Sequence, residues 1–127
     1  MAVRVLLVED NDVYRSTLEL LLDGRDGLAV VGSIADGSEA AIAAEQLGAD
    51  VVLMDFRLPG LDGAAATAAV LAAAPRAAVI CLTAEATPAD RDAVLAAGAV
   101  GLIEKGRSIE DLVRAIHSAT QRGESIP

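Results

Sequence analysis

The sequence predicts an α/β protein built on a doubly wound, five-stranded parallel sheet. Short apolar segments alternate five times with segments whose apolar residues recur at helical spacing. The strand-like segments are continuously apolar, which is typical of strands buried on both faces of a parallel sheet. Because strand–helix–strand crossovers are right-handed, such a chain places helices on both faces of one sheet. The 127 residues are enough for one domain with a core.

The first two strands and the helix between them have a clear pattern. We place the first strand at residues 4–9 and the second at residues 28–32. The helix is placed at residues 12–22, because its apolar residues recur at helical spacing. These residues are Val13, Tyr14, Leu18, Leu21 and Leu22. We interpret Tyr14 as a packing residue.

Capping and turn residues delimit the middle of the chain. Ser38 is expected to cap the second helix, and Gly48 is expected to end it. The third strand is placed at residues 51–55. Residues 57–61 contain a Pro-Gly pair and predict a turn after that strand.

The third and fourth helices have start and stop signals of their own. Asp62 is expected to cap the third helix, which must end before Pro75. The fourth strand is placed at residues 78–83. Thr87 then predicts the cap of the fourth helix, with Pro88 at its first helical position.

The last strand and helix complete the alternation. We expect the fourth helix to end at Gly98 and the fifth strand to span residues 100–104. The fifth helix is expected to begin at Ser108 and to run to about Arg122. The domain is therefore placed at residues 1–122, and residues 123–127 are interpreted as the start of a linker or as a tail.

Composition narrows the classes of partner. The net charge is −9 and the sequence pI is about 4.4, which argues against direct nucleic-acid binding and against an anionic membrane surface. No apolar stretch reaches the length of a membrane span, and no signal peptide is visible. The single Cys81 allows no internal disulfide, so we expect a reducing, cytoplasmic location.

Acidic residues, a threonine and a lysine stand at the carboxyl ends of four of the five strands. Glu9 and Asp10 follow the first, Asp55 the third, Thr83 the fourth and Lys105 the fifth. The carboxyl ends of parallel strands meet at one edge of the sheet, where ligands of such folds bind. We therefore expect these side chains to form one site.

Three carboxylates at one sheet edge predict a divalent cation. Two like charges 4 Å apart at an effective dielectric constant near 20 repel by about 4 kcal/mol, so packing alone would not bring Glu9, Asp10 and Asp55 together. A hard cation relieves that repulsion, and oxygen ligands favour Mg²⁺. Such an ion keeps coordination positions open for phosphate oxygens.

A hydroxyl and an ammonium beside such a metal indicate phosphoryl chemistry. Phosphoryl transfer needs positioning and neutralisation of the charge on the phosphoryl oxygens, which Thr83 and Lys105 can supply. A carboxylate can act as the nucleophile and form an acyl phosphate. Asp55 is the best candidate, because its strand is central among the others.

This constellation resembles the receiver domain of bacterial response regulators, over the whole chain. The stretches that carry the resemblance are residues 8–10, 54–63, 82–84, 98–101 and 104–105. The family implies a flavodoxin-like (βα)5 fold. The sequence is also similar to the subgroup whose receivers precede a LuxR-type helix-turn-helix. The residues behind this second resemblance are 97–101, 104–106 and 122–124.

The resemblance implies a role for each site residue. Asp55 is the expected phosphoacceptor, and Thr83 and Lys105 are expected to contact the phosphoryl oxygens. The expected Mg²⁺ ligands are Asp10, Asp55 and the backbone carbonyl of Arg57, with Glu9 acting through water. The phosphoryl group is expected to come from a sensor histidine kinase. Such a domain is not an enzyme on a separate substrate; it assists only its own phosphorylation and dephosphorylation.

Two positions depart from the family pattern. Leu102 stands where an aromatic residue usually takes part in the output switch, and Gly106 follows the lysine where many receivers have proline. For the Lys105–Gly106 bond the trans form is the default. The expected output is transcription through a DNA-binding domain outside this chain, reached through a face formed by the fourth helix, fifth strand and fifth helix, which also allows self-association.

Two other functions compete with this interpretation. Leu102 leaves open a receiver-like interaction module that works without phosphorylation. An enzyme acting on a small substrate is a third class. An aspartyl-phosphate phosphatase would need a second acid where Arg57 stands, and a dinucleotide enzyme would need a glycine-rich turn where residues 9–12 stand.

Overall fold

A computed structural model describes residues 2–59 and 61–121 and confirms the predicted α/β fold. Five parallel strands form one sheet in the order β2-β1-β3-β4-β5. The strands are β1 (Val3–Val8), β2 (Leu28–Ile34), β3 (Val51–Asp55), β4 (Ala78–Thr83) and β5 (Gly101–Glu104). The helices are α1 (Asp12–Leu22), α2 (Ala40–Leu47), α3 (Gly63–Ala73), α4 (Pro88–Ala96) and α5 (Ile109–Ala119).

Each face of the sheet carries its own apolar core. Successive strand residues point to opposite faces, so Val5 and Leu7 pack with α1 and α5, whereas Leu6 and Val8 pack with α2, α3 and α4. The helices on the second face contribute mainly alanines to this core. Leu102 is buried in the same cluster. This division explains why the strands are apolar throughout, as the sequence pattern indicated.

Most of the predicted helix termini are confirmed by hydrogen bonds. The side chains of Asp62, Thr87 and Ser108 each accept a bond from a backbone N–H in the first turn of α3, α4 and α5. Gly48 ends α2 with φ of 62°, a left-handed conformation that glycine adopts without a steric penalty.

The start of the second helix differs from the prediction. Ser38 is not the cap of α2. The carboxylate of Asp36 instead accepts bonds from the backbone N–H and the hydroxyl of Ser38, and a 3₁₀ turn over Gly37–Glu39 precedes α2. An acidic side chain two residues before a backbone N–H forms such local turns readily, and this competed with the serine cap.

Two further segments are more ordered or shorter than expected. Arg57–Leu58 and Leu61–Asp62 pair as a small antiparallel hairpin around the predicted turn. The fifth helix ends at Ala119, before Arg122, and Thr120 is its C-cap, with its backbone N–H bonded to the carbonyl of His117. Arg122 and the predicted tail at 123–127 lie outside the described residues.

Two remaining properties bear on the sequence predictions. In the described part of the chain every peptide bond is trans, including the bond between Lys105 and Gly106. None of the helices described is both long enough and apolar enough to cross a membrane.

Candidate functional site at the carboxyl edge of the sheet

The ends of β1 and β3 bring three carboxylates together. These strands are neighbours in the sheet, and Glu9, Asp10 and Asp55 each offer an oxygen within 4.8 Å of the others. Glu9 and Asp55 are 1% and 5% exposed, whereas Asp10 is exposed. The predicted acidic cluster is therefore present, with two members buried and one facing solvent.

Lys105 reaches this cluster from the edge strand. Its Nζ lies 2.7 Å from Glu9 Oε1 and 3.5 Å from Asp55 Oδ2. The same Nζ lies 4.9 Å from the centre of the Tyr14 ring. Tyr14 packs against the core, as expected, and also flanks the site, which its sequence position did not indicate. Burial raises the pKa of Tyr14, and the nearby Lys105 ammonium partly offsets that rise.

The loop after β1 is held by contacts of Asn11 and Arg15 that no sequence pattern suggested. The backbone N–H of Asn11 donates to Glu9 Oε2 at 3.0 Å. Arg15 donates to the Glu9 carbonyl at 2.6 Å and pairs with Asp12 at 2.7 Å. Asn11 also caps α1, because its side chain accepts a bond from the N–H of Tyr14. These contacts orient the loop that carries Glu9 and Asp10.

The loop after β3 holds Asp55 in place. Asp55 Oδ1 accepts the backbone N–H of Arg57 at 3.1 Å. The next residue, Phe56, is tied to both neighbours: its N–H donates to the Leu82 carbonyl at 2.7 Å, and its carbonyl accepts the N–H of Gly63 at 2.8 Å. The backbone on both sides of the Asp55 loop is thereby anchored to β4 and to the start of α3.

Burial raises the pKa of Asp55 to about 6. The Arg57 N–H opposes this rise, the Glu9 carboxylate adds to it, and the Lys105 ammonium opposes it. The buried carboxyl therefore binds a proton more tightly in the folded state than in the unfolded chain.

A pH dependence of stability follows from this pKa. Asp55 is charged in both states well above pH 6, so the cost of its burial is fully present there and falls as pH drops through 6 toward the ordinary value of 3.8. Relative to Asp55→Asn, the metal-free domain should gain about 1 kcal/mol of unfolding free energy between about pH 8 and about pH 5. Urea unfolding in a chelator measures this difference. Parallel stability curves for the two proteins would refute it.

Thr83 lies at the end of β4 and is 2% exposed. Its backbone carbonyl accepts the N–H of Lys105 at 2.8 Å, so the ends of β4 and β5 are in register. Its hydroxyl donates to the carbonyl of Glu85 at 3.2 Å. The structure thus brings Thr83 to the predicted sheet edge with its hydroxyl bonded to its own loop.

The donor set of this site fits a hard divalent cation. Carboxylate oxygens are the ligands that Mg²⁺ prefers, and three of them converge here. Among residues 2–59 and 61–121, Glu9 Oε1 accepts no well-aligned hydrogen bond, although the Lys105 ammonium lies close to it. The Lys105 ammonium contacts the two buried carboxylates, and the exposed Asp10 adds a third negative charge, which leaves negative charge for a metal to neutralise.

Comparison with known proteins identifies the family. Residues 5–117 match the family model described as response regulator receiver domain. The chain therefore belongs to the receiver domains of two-component response regulators, as the sequence predicted. A solved two-component response regulator of the LuxR family from Aurantimonas sp. SI85-9A1 superposes with a TM-score of 0.90 at 30% identity, covering 98% of this chain and 89% of that one.

Curated relatives agree with this assignment. Response regulator GacA of Pseudomonas viridiflava is 38% identical over 114 residues, which is 90% of this chain and 53% of that protein. Response regulator UvrY of Escherichia coli (strain K12) is 33% identical over 116 residues, which is 91% of this chain and 53% of that protein. The chain spans about half the length of these relatives.

Proposed function

We propose that this domain accepts a phosphoryl group on Asp55 from the phosphohistidine of a sensor kinase, in a reaction that requires Mg²⁺, and that this modification controls an output. The observation that carries the proposal is the position of Asp55. It is a buried carboxylate with an ammonium 3.5 Å from one oxygen, and two further carboxylates lie beside it. This is the arrangement that phosphoryl transfer to a carboxylate needs.

Each residue of the site has a part in this reaction. An oxygen of Asp55 forms the new bond to phosphorus as the bond from phosphorus to the donor's histidine nitrogen breaks. Lys105 balances charge on the phosphoryl oxygens, and the Thr83 hydroxyl donates to one of them. Mg²⁺ would neutralise more of the charge on the phosphoryl oxygens. The groups proposed to hold the Mg²⁺ ion are Asp10, Asp55, the Arg57 backbone carbonyl and, through water, Glu9. The domain thus acts on its own carboxylate and turns over no separate substrate.

Intact mass measurement tests the proposal directly. Incubation with acetyl phosphate and Mg²⁺ should add one phosphoryl group to the wild-type chain and none to Asp55→Asn, because the amide cannot form an acyl phosphate. Glu45→Gln is the matched control, since it removes an exposed acid of α2 that makes no contact with the site. Equal labelling of Asp55→Asn and the wild type would overturn the assignment of Asp55.

Metal binding is tested through stability. A ligand that binds only the folded state adds about 1.4 kcal/mol at ten times its Kd, so Mg²⁺ should raise the melting temperature. Asp10→Asn should lose most of this response, because a proposed ligand is gone. It should also melt higher than the wild type in a chelator, because one repelling charge is removed from the cluster. If Mg²⁺ raises both melting temperatures equally, Asp10 is not a ligand.

The proposed output surface is the face of α4, β5 and α5. A groove of about 360 Å³ lies there, lined by both apolar and charged side chains. Its lining includes Arg91, Leu102, Arg107, Asp111 and Arg114. The proposed partners at this face are an output domain or a second copy of the chain. The cytoplasmic location and the absence of direct nucleic-acid binding stay predictions.

A further inference from the structure

One peptide group in the loop after β4 is held from both of its sides. The carbonyl of Glu85 accepts the Thr83 hydroxyl at 3.2 Å. The N–H of Ala86 belongs to the same peptide group and donates to Glu104 Oε2 at 3.0 Å. The peptide group therefore bridges the hydroxyl of Thr83 and the carboxylate of Glu104.

The two residues that hold this peptide group are fixed relative to each other. Thr83 and Glu104 are register partners at the ends of β4 and β5. A trans peptide group is planar, and its C=O and N–H point in opposite directions. The group cannot rotate away from one partner while keeping the other, so the bond to Glu104 also stabilises the bond to Thr83.

Glu104 has no competing contact in this structure. Within residues 2–59 and 61–121, its side chain makes no other hydrogen bond and no ion pair. The bond to Ala86 is charge-assisted, and such bonds are about twice as strong as neutral ones. The carboxylate is exposed, and the hydrogen bond that it makes among the described residues goes to the loop that carries the Thr83 hydroxyl bond.

We propose that Glu104 is a positioning residue that controls the availability of the Thr83 hydroxyl. Its carboxylate orients the Glu85–Ala86 peptide group so that the carbonyl holds the hydroxyl within the loop. The hydroxyl must leave this carbonyl before it can donate to a phosphoryl group on Asp55. That last step rests on the function proposed above, whereas the orientation of the peptide group does not.

The first test measures the peptide group itself, in the unphosphorylated and metal-free domain. Amide hydrogen exchange of Ala86 should be about three- to tenfold faster in Glu104→Ala, because the acceptor of its N–H is lost. Glu104→Gln keeps an acceptor oxygen but not the charge, so its exchange should lie between those of the wild type and Glu104→Ala. Unchanged exchange at Ala86 in Glu104→Ala would overturn the proposal.

The second test uses beryllium fluoride with Mg²⁺ as a mimic of the phosphoryl group. Glu104→Ala should bind the mimic about three- to tenfold more tightly than the wild type, because the Thr83 hydroxyl is released. Glu104→Gln should show only part of this gain. In a Thr83→Ala background, where there is no hydroxyl to release, Glu104→Ala should leave the affinity unchanged.

A purely electrostatic role of Glu104 gives a different pattern. Loss of a negative charge near the site would favour the anionic mimic equally in Glu104→Gln and Glu104→Ala, and also in the Thr83→Ala background. Either result would overturn the positioning role. If the wild-type domain does not bind the mimic at all, the proposed phosphoryl site is wrong, and exchange at Ala86 still decides whether Glu104 orients the peptide group.

Discussion

Lys105→Met should lower the unfolding free energy of the metal-free domain by about 2 kcal/mol. Removing one partner of a fully buried ion pair costs about 3–5 kcal/mol, because the other charge stays buried and unpaired. Here Glu9 is that residual charge, at 1% exposure, while the Lys105 side chain is 24% exposed, which reduces the expected loss. Methionine keeps the apolar stem beside Tyr14. Urea denaturation in a chelator measures the change.

Two comparisons make this prediction specific to the ion pair. The double variant Glu9→Gln, Lys105→Met should recover part of the loss, because Asp55 is then the one buried carboxylate of the pair that has lost its ammonium. Mg²⁺ should stabilise Lys105→Met more than it stabilises the wild type, because the metal takes over the neutralisation that the ammonium provided. If Glu9→Gln lowered the stability of Lys105→Met by as much as it lowers the stability of the wild type, the two residues would not be coupled and the prediction would be wrong.

Gly63→Ala should destabilise the domain by about 2 kcal/mol through overpacking. A Cβ atom at Gly63 would lie 2.7 Å from Phe56 Cδ1, 2.8 Å from Phe56 Cα and 2.9 Å from the Phe56 carbonyl oxygen. Two of these atoms belong to the backbone, so a side-chain rotation cannot relieve the contact. Denaturant unfolding measures the loss. Phosphorylation should also slow, because Phe56 follows Asp55 directly.

Gly106→Ala is the matched control for this substitution. A Cβ atom there meets nothing within 4 Å, and the backbone does not adopt a positive φ. The same chemical change should therefore leave stability unchanged within about 0.5 kcal/mol or raise it slightly. If Gly63→Ala were as stable as Gly106→Ala, the close approach of α3 to the Asp55 loop would not be a constraint on this fold.

Much of the fold could be predicted because its signals are local. The bounds of β3 and β4 and the caps Asp62, Thr87 and Ser108 follow from apolar runs and single capping residues. The wrong prediction that Ser38 caps α2 also came from a local signal. Two side chains that can accept a backbone hydrogen bond, Asp36 and Ser38, compete near the start of that helix. Asp36 caps the 3₁₀ turn that forms and Ser38 lies within that turn, and only the backbone geometry decides between the two caps.

The composition of the site was predictable for a related reason. Strand ends of a parallel sheet share one edge, so the strand pattern alone brought Glu9, Asp10, Asp55, Thr83 and Lys105 together. The supporting contacts were not predictable in this way. Arg15 reaches the Glu9 carbonyl and Glu104 reaches the Ala86 N–H through side-chain directions that depend on how loops settle. Arg15 and Glu104 are charged residues of the kind found at ordinary surface positions, so the sequence did not single them out.

Because β5 lies at the edge of the sheet, local unfolding is expected to affect Lys105 before it affects the carboxylates of the site. Among the described strands, β5 is four residues long and pairs with β4 alone, whereas β1 and β3, which carry the carboxylates, each have neighbours on both sides. Partial unfolding events start where a segment has the fewest partners. A short-lived opening of this C-terminal segment would withdraw the ammonium while the carboxylates stayed in place. The cluster of Lys105 with the carboxylates is therefore expected to be less persistent than the sheet that supports it.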